Sequence, residues 1–146
     1  MDAMPPNIEP VTITCVVEAA SAQKVPLAAL VSIMSHEHGR VGHRTPNPNG
    51  TYDYGPMQIN TIWLDEIRSV ANVSESQLLN DGCVNVLIGA WILRRRLNRA
   101  KGNVWTAIGT YHSFTRNLAA GYRRRVKKAM DRLDGLQSVV RYANGR

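Results

Sequence analysis

The sequence predicts a mainly α-helical domain with at most a short β-hairpin near residues 48–55. Apolar residues recur at helical spacing over most of the 146 residues. Helix-starting and helix-ending residues flank these segments, and turn-forming residues concentrate between residues 40 and 56. A chain of this length forms one domain with a real core and is too short for two. We expect residues 1–10 to be a lead segment, residues 11–134 the domain and residues 135–146 a C-terminal tail.

The first two helices are predicted by their spacing and their boundary residues. Residues 11–23 mix apolar and small residues at helical spacing, and Pro26 suits the first turn of a second helix that Gly39 ends. Ile33 belongs to the buried stripe of this second helix. Glu37 lies four residues later and shares the core-facing side, so we expect its carboxyl group to be partly withdrawn from water.

The middle of the chain is predicted to form a loop that is followed by further helices. Residues 40–56 are rich in Pro, Gly and Asn, and Asn49-Gly50 is a favourable tight-turn pair for a hairpin. We expect Pro56 to begin the next helix, with apolar positions at Met57, Ile59, Ile62, Trp63 and Ile67. A capping-box pattern at residues 74–77 starts a short helix, and longer helices follow at residues 83–101, 103–112 and 116–133.

The positive charge is concentrated in the last third of the chain. Residues 1–93 have a balance of −5 and residues 94–146 a balance of +12, which gives the net charge of +7. Such a region attracts polyanions, whether nucleic acid, anionic lipid or an acidic cell-wall polymer, or it is a solvated helical surface. No apolar run approaches the roughly 20 residues of a membrane helix. The first residues lack the basic and apolar parts of a signal peptide.

Cys15 and Cys83 are the two cysteines of the chain, and they lie far apart in sequence. Neither belongs to a C-x-x-C pair or a Cys/His cluster, so a metal or redox motif is not indicated. One long-range disulfide formed in an oxidising compartment fits this pattern. Two buried free thiols fit it as well.

Two carboxylates, Glu37 and Asp53, lie sixteen residues apart and on different local structures. Glycosidic bond cleavage uses such a pair, because one acid must stay protonated near neutral pH while the other stays ionised. Gln58 and Asn60 follow the turn, and such amides hydrogen-bond well to sugar hydroxyl and N-acetyl groups. Composition alone favours a simpler interpretation, in which Met57 is part of the core and Gln58 is a surface residue.

Other chemistries are poorly supported by the sequence. Three histidines crowd around Glu37, but a zinc-binding H-E-x-x-H motif would need histidine at the position of Arg40. The chain has no G-x-S-x-G motif, no activating context for either cysteine and no phosphate-binding glycine loop. The arginines at residues 94–96 and 123–125 could line phosphates, but no nucleic-acid-binding motif accompanies them.

Four blocks of the chain together resemble the lytic transglycosylases with a soluble-lytic-transglycosylase domain. They are E-x-G at residues 37–39, N-x-N-G-x-Y-D-x-G-x-M-Q-I-N at 47–60, C-x-N-x-x-x-G-A-x-I-L at 83–93 and A-I-x-x-Y-H-S at 107–113. The resemblance covers roughly residues 12–128. It is closest to the small specialised members that accompany conjugation, type III secretion and type IV pilus machines. It implies a lysozyme-like fold of the α+β lysozyme superfamily.

The resemblance also implies the roles of individual residues. Glu37 matches the single catalytic acid/base of the family. Asp53 stands where many members have a small residue, and it is similar to the second carboxylate of animal lysozymes. A cysteine pair that resembles Cys15 and Cys83 is common in the specialised members, so the resemblance favours the disulfide.

The same resemblance suggests a set of substrate-binding residues. Gln58 and Tyr111 match groups that line the cleft near the scissile bond, and Met57 matches an apolar wall residue. Asn60 belongs to the same block. Asn49 stands where larger relatives often have serine.

The implied function is cleavage of the β-1,4 bond between N-acetylmuramic acid and N-acetylglucosamine, with formation of a 1,6-anhydro ring. We expect a periplasmic monomer that needs neither metal nor cofactor. We expect it to have no nucleic-acid partner and no membrane span, and to serve a secretion, conjugation or pilus apparatus. A hydrolytic lysozyme and a non-catalytic basic wall-binding module are the alternatives.

Overall fold

The computed structural model describes residues 7–112, 116–131 and 135–145. Within these ranges the mainly α-helical prediction is confirmed. The helices are α1 (Ile13–Gln23), α2 (Leu27–Glu37), α3 (Leu64–Ala71), α4 (Glu75–Asn80), α5 (Gly82–Arg99), α6 (Val104–His112), α7 (Arg116–Asp131) and α8 (Leu136–Ala143), with a 3₁₀ turn at Thr61–Trp63. The strands are β1 (Arg44–Pro46), β2 (Tyr52–Tyr54) and β3 (Ile59–Asn60).

Helix α2 begins and ends close to the predicted residues. Pro26 was expected in the first turn and is the N-cap residue, one position before the first helical residue, Leu27. The helix is ended by His38, which adopts a left-handed conformation with φ 58° and donates its N–H to the carbonyl of Met34. The helix therefore stops one residue before Gly39, where the sequence predicted its end. Glu37 is the last helical residue, and Gly39 lies just beyond the C-cap residue His38.

The predicted hairpin is present, and a third strand extends it into an antiparallel sheet of order β1-β2-β3. The prediction that a helix begins at Pro56 is wrong. Gly55 and Gln58 adopt left-handed conformations, and Ile59 then pairs with Tyr54 across β2 and β3. Met57 and Ile59 are buried by a turn and a strand, whereas Ile62 is 75% exposed, and the next α-helix begins only at Leu64.

A buried amide fixes this turn to α5. The side chain of Asn85 accepts a hydrogen bond from the backbone N–H of Met57 at 2.8 Å. It donates to the carbonyl groups of Tyr54 at 2.9 Å and Leu78 at 3.0 Å. Because Asn85 is completely buried, these bonds satisfy backbone groups that water cannot reach.

Helix α5 is central to the core and is linked covalently to α1. Ile92 and Leu93 are buried on α5, which packs against α1, α4 and α6. Cys15 on α1 and Cys83 on α5 form a disulfide with a Cα–Cα distance of 5.7 Å. The expected disulfide is thus confirmed, and the alternative of two free thiols is wrong.

The segment 135–145 is packed against the domain. Helix α8 contacts α1 and α2, and the carbonyl group of Ala143 accepts a hydrogen bond from the N–H of Val41 at 3.0 Å. The Asn144 side chain makes two hydrogen bonds to the backbone of Val11, at 2.7 and 2.8 Å. The segment expected as a C-terminal tail therefore packs against the start of the domain. No helix in the described ranges is long and apolar enough to cross a membrane.

Candidate active site

Glu37 lies half-buried at the C-terminal end of α2, where α2 packs against α7. The hydroxyl group of Tyr122 donates a hydrogen bond of 2.9 Å to Oε1 of Glu37. Tyr122 is only 1% exposed, and its ring meets the ring of His36 edge-to-face at 4.9 Å. Burial raises the pKa of the Tyr122 hydroxyl well above its usual range, and the negative charge of Glu37 raises it further. Tyr122 therefore remains a hydrogen-bond donor across the physiological pH range.

A cleft of about 690 Å³ runs between the sheet and helices α5 and α6. Its size and mixed polar and apolar lining suit several sugar rings. It is lined by Asn47, Pro48, Asn49, Thr51, Asp53, Gln58, Ile59, Asn60, Ile62, Trp63, Ile92, Arg96 and Tyr111. Five of the residues expected at the site, Asn49, Asp53, Gln58, Asn60 and Tyr111, thus line one cavity.

Asp53 is oriented by its neighbour across the sheet. It lies on β2 directly opposite Asn60 on β3. The Asn60 amide donates to Oδ1 of Asp53 at 2.9 Å and to Oγ1 of Thr51 at 3.1 Å. Its carbonyl oxygen accepts the N–H of Ile62 and caps the 3₁₀ turn. Asn60 therefore holds the carboxylate of Asp53 on the cleft wall.

The charges of both carboxylates, Glu37 and Asp53, act on the hydroxyl group of Tyr111. Its buried hydroxyl group donates to the carbonyl oxygen of Met57 at 2.8 Å. Burial raises the pKa of Tyr111 well above its usual range, the charges of Glu37 and Asp53 raise it further, and that of Arg96 opposes them. All three charged groups therefore act on one hydroxyl group at the base of the cleft.

Met57 stands behind the cleft wall and does not line it. Its side chain is completely buried and packs against Gly89 of α5, where an added Cβ would lie 2.6 Å from the Met57 Cγ. Its backbone carbonyl group, through Tyr111, is the part that reaches the site. The expected apolar wall residue thus lies beneath the residues that line the cleft.

Gly39 allows the end of α2 to approach the turn after β2. A Cβ atom at this position would collide with the carbonyl oxygen of Gly55 and lie 2.7 Å from Nε2 of Gln58. The Gln58 side chain itself donates to the Gly55 carbonyl at 3.0 Å. The absence of a side chain at Gly39 therefore lets the Gly55 carbonyl and the Gln58 side chain lie against the backbone two residues after Glu37.

Asn49 lies at the exposed rim of the cleft. Its side-chain oxygen accepts hydrogen bonds from the backbone N–H of Thr51 at 3.1 Å and from the Thr51 hydroxyl at 2.6 Å. These bonds stabilise the turn between β1 and β2. Asn49 thus shapes the hairpin that forms one side of the cleft.

Two residues of the site were not predicted from the sequence, Tyr122 and Arg96. Tyr122 and Val126 form an apolar i, i+4 pair around a run of basic residues, and this pair was the available signal. Arg96 follows Ile92 and Leu93 by four and three residues, so it shares their buried face. In both places, runs of arginine obscured the helical pattern.

The described residues contain no group of three or more His, Cys, Asp or Glu side chains placed to hold a metal ion. The histidines near Glu37 instead contact aromatic rings, His36 with Tyr122 and His38 with Tyr142. The geometry of the site is therefore that of a carboxylate and hydrogen-bonding groups around a sugar-sized cleft.

Comparison with known proteins identifies the family. The family model described as transglycosylase SLT domain matches residues 14–133. Invasion protein IagB of Salmonella typhimurium is 36% identical over 90 residues, which are 62% of this chain and 53% of IagB. Protein IpgF of Shigella flexneri is 30% identical over 102 residues, which are 69% of this chain and 66% of IpgF.

The chain spans about half the length of the IagB proteins that it matches. The family model, in contrast, covers most of the chain, from the start of α1 to the end of α7. It includes Glu37, the whole cleft, the disulfide and Tyr122. The chain belongs to the transglycosylase SLT domain family.

Proposed function

We propose that the chain is a lytic transglycosylase that cleaves the β-1,4 bond between N-acetylmuramic acid and N-acetylglucosamine in peptidoglycan. The observation that supports this most directly is the half-buried carboxylate of Glu37, which Tyr122 holds and whose charge acts on Tyr111, a residue that lines the sugar-sized cleft. Glu37 itself is not among the residues that line the cleft. Membership of the transglycosylase SLT domain family points to the same reaction. The products would be glycan strands that end in 1,6-anhydro-N-acetylmuramic acid.

In the proposed reaction Glu37 acts first as an acid and then as a base. It donates its proton to the bridging oxygen as the bond from that oxygen to C1 of the muramic residue breaks. Positive charge develops at C1 and is stabilised by the substrate's own acetamido group or by Asp53. The ionised Glu37 then accepts the proton of the C6 hydroxyl group while O6 bonds to C1. One residue performs both steps, as microscopic reversibility permits.

The groups around the cleft suit the binding of sugar rings. Asn49 and Gln58 present amides, and these groups hydrogen-bond to sugar hydroxyl and N-acetyl groups. Trp63 and Ile62 supply an apolar surface for the faces of the rings, since Ile62 is 75% exposed. Tyr111, supported by the Met57 carbonyl, closes the base of the cleft near the scissile bond.

The setting of this activity is also a proposal. The Cys15–Cys83 disulfide is stable in an oxidising compartment such as the periplasm. One similar protein is named an invasion protein. We place the chain as a monomeric enzyme in the periplasm, where it opens the wall locally for a secretion, conjugation or pilus apparatus.

A hydrolytic lysozyme is the second candidate, and Asp53 is the observation that favours it. Its carboxylate lies on the cleft wall and is oriented by Asn60. A second carboxylate in this location can activate water or stabilise the cation, and the product would then carry a reducing end.

Replacement of Glu37 by Gln tests the proposed catalytic residue. Glu37→Gln should abolish the release of soluble fragments from purified peptidoglycan while thermal unfolding and glycan binding stay unchanged. Glu18→Gln, at an exposed position on α1, is the matched control and should retain full activity. Substantial release by Glu37→Gln would contradict the assignment. Binding without release by the unsubstituted protein would identify a wall-binding module.

A further inference from the structure

Arg96 is the one charged residue among the buried side chains that the structure describes. It lies on α5 with 9% of its surface exposed, and its guanidinium carbon is 5.2 Å from the centre of the Trp63 ring. Withdrawing a charge from water is costly, and a core position can be filled by an apolar residue at no such cost. A buried cation that also lines the cleft therefore suggests a functional role.

Arg96 lies where two cavities meet. One is the cleft, which also contains Asp53 and Tyr111. The other, the arginine pocket, has a volume of about 520 Å³ and is lined by Arg95, Arg96, Asn98 and Arg99. The two cavities share the Arg96 side chain, so the arginine pocket lies next to the cleft.

The arginine pocket concentrates positive charge. Burial lowers the pKa of Arg96, and the positive charges of Arg99 and Arg95 lower it further, so both arginines repel Arg96. Arg95 is held in place by Glu66 at 2.7 Å and lies 5.0 Å from the centre of the Trp91 ring. An anion in the pocket would relieve the repulsion, and planar guanidinium groups bind carboxylates through paired hydrogen bonds.

We propose that the arginine pocket binds carboxylate groups of the peptide that is attached to the muramic acid of the substrate. This inference rests on the proposed function, because it requires peptidoglycan in the cleft. The muramic residue carries its peptide on the lactyl group, and that peptide has several free carboxylates. The pocket thereby makes the protein prefer glycan strands that carry peptides over strands from which the peptides have been removed.

The preference is tested with two substrates, peptidoglycan strands with peptides and the same strands after amidase has removed the peptides. The informative variant is Arg99→Gln, at an exposed position that lines the arginine pocket and not the cleft. It should raise KM about tenfold on peptide-bearing strands and change kcat/KM on bare strands by less than about twofold. Arg68→Gln, exposed on α3, removes the same charge elsewhere and should behave as the unsubstituted protein.

Equal losses on both substrates, or no loss on either, would overturn the inference. A binding measurement with the free muramyl tripeptide separates this inference from the proposed function. Saturable binding that Arg99→Gln weakens about tenfold supports the pocket even if the protein releases no fragments, and absence of binding contradicts it.

Discussion

The hydroxyl group of Tyr122 donates a 2.9 Å hydrogen bond to Oε1 of Glu37, across a separation of 85 residues in sequence. The bond joins α7 to the last residue of α2. It fixes the direction of a carboxylate that stands at the end of a helix, where side chains are otherwise free to rotate. Tyr122 is therefore a positioning residue for the proposed acid/base.

Replacement of Tyr122 by Phe should lower kcat about tenfold and leave KM nearly unchanged. The lost hydrogen bond reaches a carboxylate, and bonds to charged groups contribute about 1.5–3 kcal/mol. The ring itself is retained, so thermal unfolding should shift little. Tyr142→Phe is the control, because Tyr142 contacts His38 and Arg40 through its ring. If kcat stays the same in Tyr122→Phe, the contact does not position Glu37.

Replacement of Gly39 by Ala should reduce activity at least tenfold and destabilise the protein by about 1–3 kcal/mol. The new methyl group would collide with the Gly55 carbonyl and displace Gln58 from the end of α2. Gly121→Ala is the control, since the nearest atoms to its added Cβ are at 3.7 Å. Steady-state kinetics and urea unfolding measure both effects. Full activity in Gly39→Ala would show that the approach of α2 to this turn is unimportant.

Replacement of Asp53 by Asn should lower turnover at least tenfold, which corresponds to about 1.4 kcal/mol of transition-state stabilisation. The amide oxygen still accepts the hydrogen bond of Asn60, so the variant removes the charge and keeps the contact. Asp65→Asn, exposed on α3, controls for the change of net charge. An unchanged rate would restrict Asp53 to a structural role in the sheet.

Removal of the Cys15–Cys83 disulfide should lower the free energy of unfolding by about 4 kcal/mol, because the bond closes a long loop in the unfolded chain. The cysteines are separated by 68 residues. Urea unfolding with and without reductant measures the difference. The variant with both cysteines replaced by Ser should match the reduced protein and be insensitive to reductant. Equal stability of the oxidised protein, the reduced protein and the Ser variant would contradict this account.

The protein should lose stability as the pH rises above about 10. An unfolded tyrosine ionises near this pH, whereas buried Tyr111 and Tyr122 keep their protons because folding raises their pKa values. The unfolded state then binds fewer protons, so the free energy of unfolding falls by about 1.4 kcal/mol per pH unit for each tyrosine. The contribution is intact below pH 10. In Tyr122→Phe the free energy of unfolding, measured with urea, should fall less steeply with pH, by about 1.4 kcal/mol per pH unit. The same pH dependence in both proteins would refute the prediction.

Local patterns were sufficient to predict much of the fold and the position of Glu37. Helix α2 has a proline start, an apolar stripe and a nearby stop, so its last turn could be assigned from the sequence. The segment after Pro56 could not, because its structure depends on Asn85, 28 residues beyond Met57. A hydrogen bond between a buried side chain and the backbone of a distant segment leaves no periodic pattern in the sequence of either segment.

The supporting residues of the site were harder to predict for a related reason. Tyr122 reaches Glu37 only because α2 and α7 pack together. Arg96 is buried although its neighbours in the arginine run are more exposed, since of these three arginines it is Arg96 that lines the cleft. The sequence shows that such a helix is positively charged. Which of its arginines lies at the site depends on tertiary packing.

Mass spectrometry of the fragments released from purified peptidoglycan tests the central claim most directly. The account predicts muropeptides that end in 1,6-anhydro-N-acetylmuramic acid, lighter by one water than hydrolytic products, and their absence with Glu37→Gln. Fragments with reducing ends that depend on Glu37 would contradict the proposed reaction and identify a lysozyme.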